Sequence, residues 1–250
     1  MAAEIWNEWD CAIATTDALI SAKLKQKTAL LSKTFLSARD VSTSPSAGWR
    51  HTPISELARV CGGGTPDTSK PAYWGGAVAW CTPTDITSLQ SRWLDATERT
   101  LTEAGLAACS AEVLPVGSVV LCSRASVGAC AIARIPVATN QGFQSLVPLR
   151  KHDTHFLYYL VQAVARRLLR ISGGSTFLEF PGGELSKLIV AAPGPAERDR
   201  IGSAFGAIDD EIDLLAAQAD ALRVQKRGLM QKLLTDEWEL SAAKVPEAAE

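Results

Sequence analysis

Toward the end of the chain, apolar residues recur at alternating intervals of three and four. Ile201, Ile208, Leu215, Leu222 and Leu229 share one heptad position, and Phe205, Ile212, Ala219, Lys226 and Leu233 fall four residues after each. A seam this narrow, held over about five heptads, is the pattern of a coiled coil. Pro193, Gly194 and Pro195 punctuate its start, and the expected helix covers Glu197 to Thr235. Acidic Glu197 and Asp199 near the start, and basic Arg223, Lys226, Arg227 and Lys232 near the end, suit the helix dipole. Such a helix is roughly 58 Å long. A compact globule of this chain length has a radius of gyration of about 18 Å, so the seam needs another long helix beside it.

A second helical stripe covers Asp17 to about Ser37, with Leu19, Ile20, Leu24, Lys27, Leu30, Leu31 and Phe35 at helical spacing. Thr16 or Asp17 is its expected cap. The segment from Gln26 to Lys33 resembles that from Gln225 to Lys232, as if two struts of one pattern flank a single domain. Upstream, Trp6 and Trp9 form a short apolar patch of the kind that docks onto another surface.

Between the struts the texture changes. Residues 38–48, rich in Ser, Thr and Pro, read as a linker. From Trp49 to Pro193 short apolar runs are cut by Gly, Pro, Ser and Thr. Val78–Trp80, Ser118–Cys122, Ala129–Ile135, Phe143–Leu149 and Leu188–Ala191 read as strands, and Ile54–Cys61 as a short helix or strand. Leu101–Ala107 reads as a short helix that Gly105 interrupts, and His155–Arg170 as one long helix. The fold class is α+β: one mixed α/β domain flanked by long coiled-coil-forming helices. The expected parts are residues 1–45 (helix and linker), 46–196 (the mixed domain), 197–236 (the long helix) and 237–250 (a tail).

The formal net charge is −2, too small for a protein that coats nucleic acid by charge alone. The balance is uneven: +3 over residues 46–196 and −5 over 197–250. The six cysteines contain no C-x-x-C pair and there are three histidines, so no metal site is expected. Cysteines in apolar runs, such as Cys122 after Val119-Val120-Leu121, read as reduced and buried. No signal peptide or membrane-spanning run is evident, and a cytoplasmic protein is expected. Gly62-Gly63-Gly64 lacks the Lys-Ser/Thr of a Walker loop and reads as a backbone turn whose amides can approach a phosphate. His152 and His155 read as a surface pair, and no catalytic triad is recognisable.

Several motifs in order are familiar as a set: Gly63-Gly64-Thr65-Pro66, Tyr73-Trp74-Gly75-Gly76, Trp80-Cys81-Thr82-Pro83-Thr84-Asp85-Ile86, Thr139-Asn140-Gln141-Gly142-Phe143 and Ser172-Gly173-Gly174-Ser175-Thr176. Leu188–Pro193, Glu197-Arg198-Asp199-Arg200-Ile201 and the closing Lys226–Leu234 continue the series. Over roughly residues 46–235 the chain resembles the specificity subunit of type I restriction–modification systems. The resemblance implies a non-catalytic DNA-sequence reader that directs adenine-N6 methyltransferase subunits, and in some assemblies a nuclease, to a bipartite site. It departs from the common subunit in having one target recognition domain where that subunit has two. The motifs of an amino-methyltransferase are absent, so the chain itself needs no cofactor, and S-adenosylmethionine is expected on the partner.

Base reading needs rigidly held donors and acceptors. The candidates are Thr82, Thr84, Arg124, Ser126, Asn140, Gln141 and Gln144; Asn140 with Gly142 can also simply build a turn, and Asp85 can cap a helix. Phosphate candidates are Gly64, Thr65, Lys70, Arg166, Arg167, Arg170 and Ser175. Candidate partner or dimer positions on the helices are Leu24, Leu31, Ile201, Phe205, Ile208, Ile212, Leu215, Leu222, Leu229 and Leu233. Expected partners are double-stranded DNA, a methyltransferase subunit, a restriction subunit and a second copy, with the N-terminal helix packed near the C-terminal helix of that copy. The rival readings are a coiled-coil scaffold that binds no DNA and an unrecognised hydrolase or transferase.

Overall fold

The computed structural model describes residues 2–39, 42, 44–172 and 179–234. In chain order the elements are α1 (Ala2–Thr34), α2 (Leu36–Arg39), β1 (Trp49–Pro53), β2 (Ala58–Gly62), β3 (Trp74–Cys81), α3 (Pro83–Thr87), β4 (Trp93–Leu94), β5 (Arg99–Leu101) and α4 (Glu103–Ala107). There follow β6 (Val119–Leu121), β7 (Cys130–Ala133), β8 (Val137–Thr139), β9 (Gln144–Pro148), α5 (Thr154–Ala163), α6 (Ala165–Ile171), α7 (Gly182–Lys187), β10 (Ile189–Pro193) and α8 (Pro195–Leu234). The chain forms two compact units, one of residues 1–28 with 208–250 and one of residues 29–207.

In the first unit the two long helices run antiparallel. Ion pairs join Asp10 to Lys226, Asp17 to Arg223 (2.7 Å), Lys23 to Glu211 (2.7 Å) and Lys27 to Asp209 (2.6 Å), in opposite order along the two segments. The heptad seam forms as its spacing predicts. Ala219 is fully buried, and Ile208, Ile212, Leu215, Leu222 and Leu229 are half-buried. The Leu233 side chain lies outside the described residues. Lys27 and Asp209, 16% and 11% exposed, pair beside the seam, and an ion pair that flanks the apolar positions sets the orientation of two helices.

One expectation for the helices is corrected. α1 begins at Ala2, not at Thr16 or Asp17, because the Thr16 hydroxyl bonds back to the Ala12 carbonyl (2.8 Å) inside the helix instead of capping it. Trp6 and Trp9 are therefore helical, and both are half-buried. Leu24, a candidate partner position, is 47% exposed, while the face of α1 turned from solvent within the chain carries Ile13, Thr16, Ile20, Lys23 and Lys27. Within the chain, α1 lies along the seam of α8, through the ion pairs given above. Pairing within one chain avoids the entropy of association, which favours the hairpin.

The second unit holds a five-stranded sheet of order β2-β9-β6-β7-β4, a three-stranded sheet β5-β3-β8 and the pair β1-β10. The larger sheet is antiparallel except where β4 joins β7, and β8 joins β3 in parallel. Val119, Val120, Leu121, Ala131, Phe143 and Leu146 are wholly buried, as are Phe156, Leu157, Tyr159 and Leu160 of α5. Cys61, Cys81 and Cys122 share one apolar core with Ile86, Leu114, Val137 and Phe143. Burial pushes the Cys61 and Cys122 thiols up to about 12 and raises Cys81 as well, so all three act as small protonated hydrophobes. A separate aromatic cluster joins Phe35 to Trp49, Phe156 and Phe205 at ring distances of 6.0, 5.6 and 6.2 Å.

Other differences from the sequence reading have local causes. The expected helix His155–Arg170 is two helices, because Val164 (φ −94°, ψ 10°) leaves helical geometry while Val164 and Leu168 stay buried on one side. Gly105 does not interrupt α4: it is buried, and a Cβ there would lie 2.2 Å from the Tyr73 carbonyl oxygen. His155 is half-buried against Trp93 (5.5 Å, edge to face), while His152 is exposed, so they are not a surface pair. The linker is tied at its ends by a 2.8 Å hydrogen bond between the Ser37 and Ser46 hydroxyls.

One buried ion pair joins α5 to the start of α8. Asp153, 1% exposed, accepts from Arg198 Nε and Nη2 (both 3.0 Å) and from Arg150 Nη1 (2.8 Å), and Arg198 Nη1 also donates to the Pro193 carbonyl (3.1 Å). Removing one partner of such a pair leaves the other charge buried. Replacing Asp153 with Asn, of nearly the same size, is expected to lower the unfolding free energy by about 3–5 kcal/mol, read from the shift of a urea denaturation curve.

Candidate nucleic-acid interface

Four loops of the second unit converge at the ends of β2, β3, β6 and β8. Gly64 N–H donates to the Thr139 carbonyl (2.9 Å), and the Gly64 carbonyl accepts from the Trp80 indole (3.0 Å). Asn140 N–H donates to the Cys81 carbonyl (3.0 Å). The Gly142 carbonyl accepts from the backbone N–H groups of Ser123 (2.7 Å) and Arg124 (3.3 Å). A Cβ on Gly63 would lie 1.9 Å from the Asn140 carbonyl oxygen, so the first and last loops approach this closely only with glycine there.

The side chains in these loops divide into two kinds. Some build the scaffold. Asp85 Oδ2 accepts from Thr82 N–H and Oγ1 (both 2.7 Å), and Oδ1 accepts from Glu98 N–H (2.8 Å), so Asp85 caps α3 and the Thr82 hydroxyl is engaged within the protein. Asn140 Oδ1 accepts from Gly142 N–H (2.8 Å), closing an Asx turn that leaves its amide NH2 to point elsewhere. The others face solvent. Thr84, Arg124 and Gln141 are exposed, Ser126 is half-buried, and Thr65, half-buried, donates its hydroxyl to Gln141 Oε1. Gln144, half-buried, lies opposite Gly62 in the β2–β9 pair. It lines a 540 Å³ cleft with Ala58, Arg59, Leu149, Gly182 and Ser186, where a Cβ on Gly182 would lie 2.4 Å from its Oε1.

Arg124 is held in a strained loop. Ala125 is the one non-glycine with positive φ (56°) among the described residues, and it sits between Arg124 and Ser126. Left-handed backbone at a residue with a Cβ is a local strain that its surroundings must impose. Glu179 pairs with Arg124 at 2.7 Å, with side chains 44% and 31% exposed, a pair weak enough in water for another acceptor to replace it. Glu179 was not among the residues singled out from sequence, because nothing local marks it.

The phosphate candidates scatter. The Gly64 amide is used by Thr139 and the residue is buried, which closes it to a phosphate. Lys70 is exposed and lies 5.3 Å from the centroid of the Tyr73 ring. Arg166 and Arg170 are exposed on α6, and Arg167 Nη1 donates to the Ala38 carbonyl (2.7 Å). Ser175 lies outside the described residues. A further basic feature, absent from the sequence reading, is Arg99, whose guanidinium lies 3.6 Å from the Trp74 ring centroid and 5.2 Å from that of Trp80. Among the described residues no group of three His, Cys, Asp or Glu side chains could hold a metal ion, and no helix is long and apolar enough to cross a membrane.

Comparison with known proteins gives this arrangement a family. Residues 47–223 match the type I restriction modification DNA specificity domain. The chain is 36% identical over 176 residues to the type I restriction enzyme MjaIX specificity subunit of Methanocaldococcus jannaschii, covering 70% of this chain and 41% of that protein. It is 23% identical over 155 residues to the EcoR124I/EcoR124II specificity subunit of Escherichia coli, covering 59% of this chain and 38% of that protein. The chain thus spans less than half the length of these curated relatives. The solved S subunit of a type I restriction–modification system from M. genitalium shares the fold, with a TM-score of 0.60 at 15% identity over 92% of this chain and 59% of that one. The α+β domain with its long flanking helices therefore belongs to the family of type I restriction modification DNA specificity domains.

Proposed function

We propose that this chain is a non-catalytic DNA-sequence reader that works in the cytoplasm within a type I restriction–modification complex or a related methyltransferase complex. It directs adenine-N6 methyltransferase subunits to a bipartite site, together with a nuclease–translocase subunit where one is present. The observation that carries this reading is the convergence of four loops from separate strands on one surface. They present Thr84, Arg124, Ser126, Asn140 and Gln141 from a scaffold fixed by backbone bonds. Rigidly held polar side chains are what base discrimination requires. Arg124 suits the O6/N7 edge of guanine, and Gln141 suits the N6/N7 edge of adenine once Thr65 releases it.

The helical unit supports a role in assembly. Its two helices already cover one another's seam, yet Leu19 and Leu24 on α1 and Leu214, Val224 and Met230 on α8 remain exposed, Leu214 at 72%. Apolar side chains along a helix hairpin favour further helices. A second copy would supply them and place two recognition domains on an inverted-repeat site, with avidity gains of about 10²–10⁴. The methyltransferase subunit is the other partner of this surface, and it carries the S-adenosylmethionine.

Three outcomes are expected. Arg124→Ala lowers discrimination at one base pair of the site by about 1–3 kcal/mol, roughly 5- to 150-fold, in a competition assay against singly substituted duplexes; unchanged preference at every position contradicts the base-reading role. Sedimentation of the purified chain, alone and with its methyltransferase, shows a dimer in at least one condition, whereas a monomer in both removes the symmetric assembly. Labelled S-adenosylmethionine and DNA show no methyl transfer with this chain alone and transfer at a defined sequence once the methyltransferase is added. Sequence-independent transfer in that mixture favours a scaffold that reads no DNA.

A further inference from the structure

A cleft of 350 Å³ between α2 and the α5–α6 turn is lined by Leu36, Arg39, Ala163, Arg166, Arg167 and Arg170. Four of these six side chains are guanidinium groups and none is a carboxylate. Arg167 ties α6 to α2 through the Ala38 carbonyl (2.7 Å). Arg166 and Arg170 are four residues apart on α6, so like charges stack on one helical face, which disfavours the helix unless a counter-charge is present. The planar donor fork of arginine matches the oxygens of a phosphate and can bind them in pairs.

Position selects the kind of anion. α6 packs beside the loop that carries Arg124 and Ser126: a Cβ built on Gly128 would lie 3.6 Å from the Ala165 Cβ. The start of α6, next to the cleft residue Arg166, therefore lies against the segment that follows Arg124 and Ser126. We infer that the cleft holds the phosphodiester backbone of the bound duplex through Arg39, Arg166 and Arg170. This rests on the DNA-reading function proposed above. Phosphate contacts fix register and orientation and carry no sequence information, so the cleft anchors the strand while the loops read it.

The test uses the full chain, a fluorescent random-sequence duplex and a duplex carrying the site mapped from methylated bases in the host genome. Binding is measured across a salt series for the native chain, Arg39→Gln, the double variant Arg166→Gln/Arg170→Gln, and all three changes together. Arg134→Gln, which alters an exposed arginine paired with Asp95, is the control. Each lost phosphate contact is expected to lower the slope of log K against log salt by about 0.9. Affinity for both duplexes should fall by the same factor, and the preference between them should stay fixed. Thermal melts of each variant show that the fold persists. If the triple variant keeps the native slope and affinity while site preference persists, the cleft is not a phosphate site and DNA reading still stands. Loss of preference instead of uniform weakening makes the cleft a base reader and overturns the inference. Unchanged DNA binding with loss of the methyltransferase shows that it holds an acidic protein. A native chain that shows no site preference overturns DNA reading itself.

Discussion

The surface where the four loops meet depends on a lack of atoms at one place. Backbone from β2 passes so close to backbone after β8 that a single Cβ on Gly63 would overlap the Asn140 carbonyl oxygen. Because that space is empty, Gly64 reaches Thr139, its carbonyl receives the Trp80 indole, and Asn140 closes on Cys81. Gly142, buried in the same knot, takes the amides of Ser123 and Arg124. Four loops from different parts of the chain are thereby fixed by backbone bonds, which leaves their exposed side chains free to differ without disturbing the fold.

This division of labour suits the sequence-reading role proposed above. Thr82, Asp85 and Asn140 satisfy backbone and hydroxyl groups of the turns themselves. Arg124 and Gln141 rest on weak exposed contacts with Glu179 and Thr65, which the acceptors and donors of a ligand can replace at small cost. The Ala125 backbone, held left-handed, fixes the direction in which Arg124 leaves its loop.

The helical unit follows a different physics. Its inner seam is narrow and satisfied within the chain, with the largely buried Lys27–Asp209 pair at its edge setting the orientation. Its outer faces keep leucine, valine and methionine in water, which is unfavourable for an isolated hairpin and reasonable for one that packs against further helices.

Local repetition carried much of this architecture into the sequence. The heptad spacing from Ile201 to Leu229 fixed the existence of α8 and the residues of its seam, because a helix repeats its own geometry every 3.6 residues wherever it sits. The apolar runs made β3, β6, β7, β9 and β10 legible, though not β1, and with them the α+β class; the ordered glycine and aromatic motifs pointed to the family. What tertiary structure alone decided are the choices between equal local options. Leu24 and Ile20 are equally apolar, and only packing turns one outward. Thr16 can cap or bond back, and a continuing helix settles which. Strands as short as β4 and β8 exist only through their long-range partners. Arg124 meeting Glu179, and Arg39 meeting Arg166 and Arg170, join residues far apart in the chain. No periodicity encodes such meetings, because they are set by how separate elements stack and not by the residues on either side.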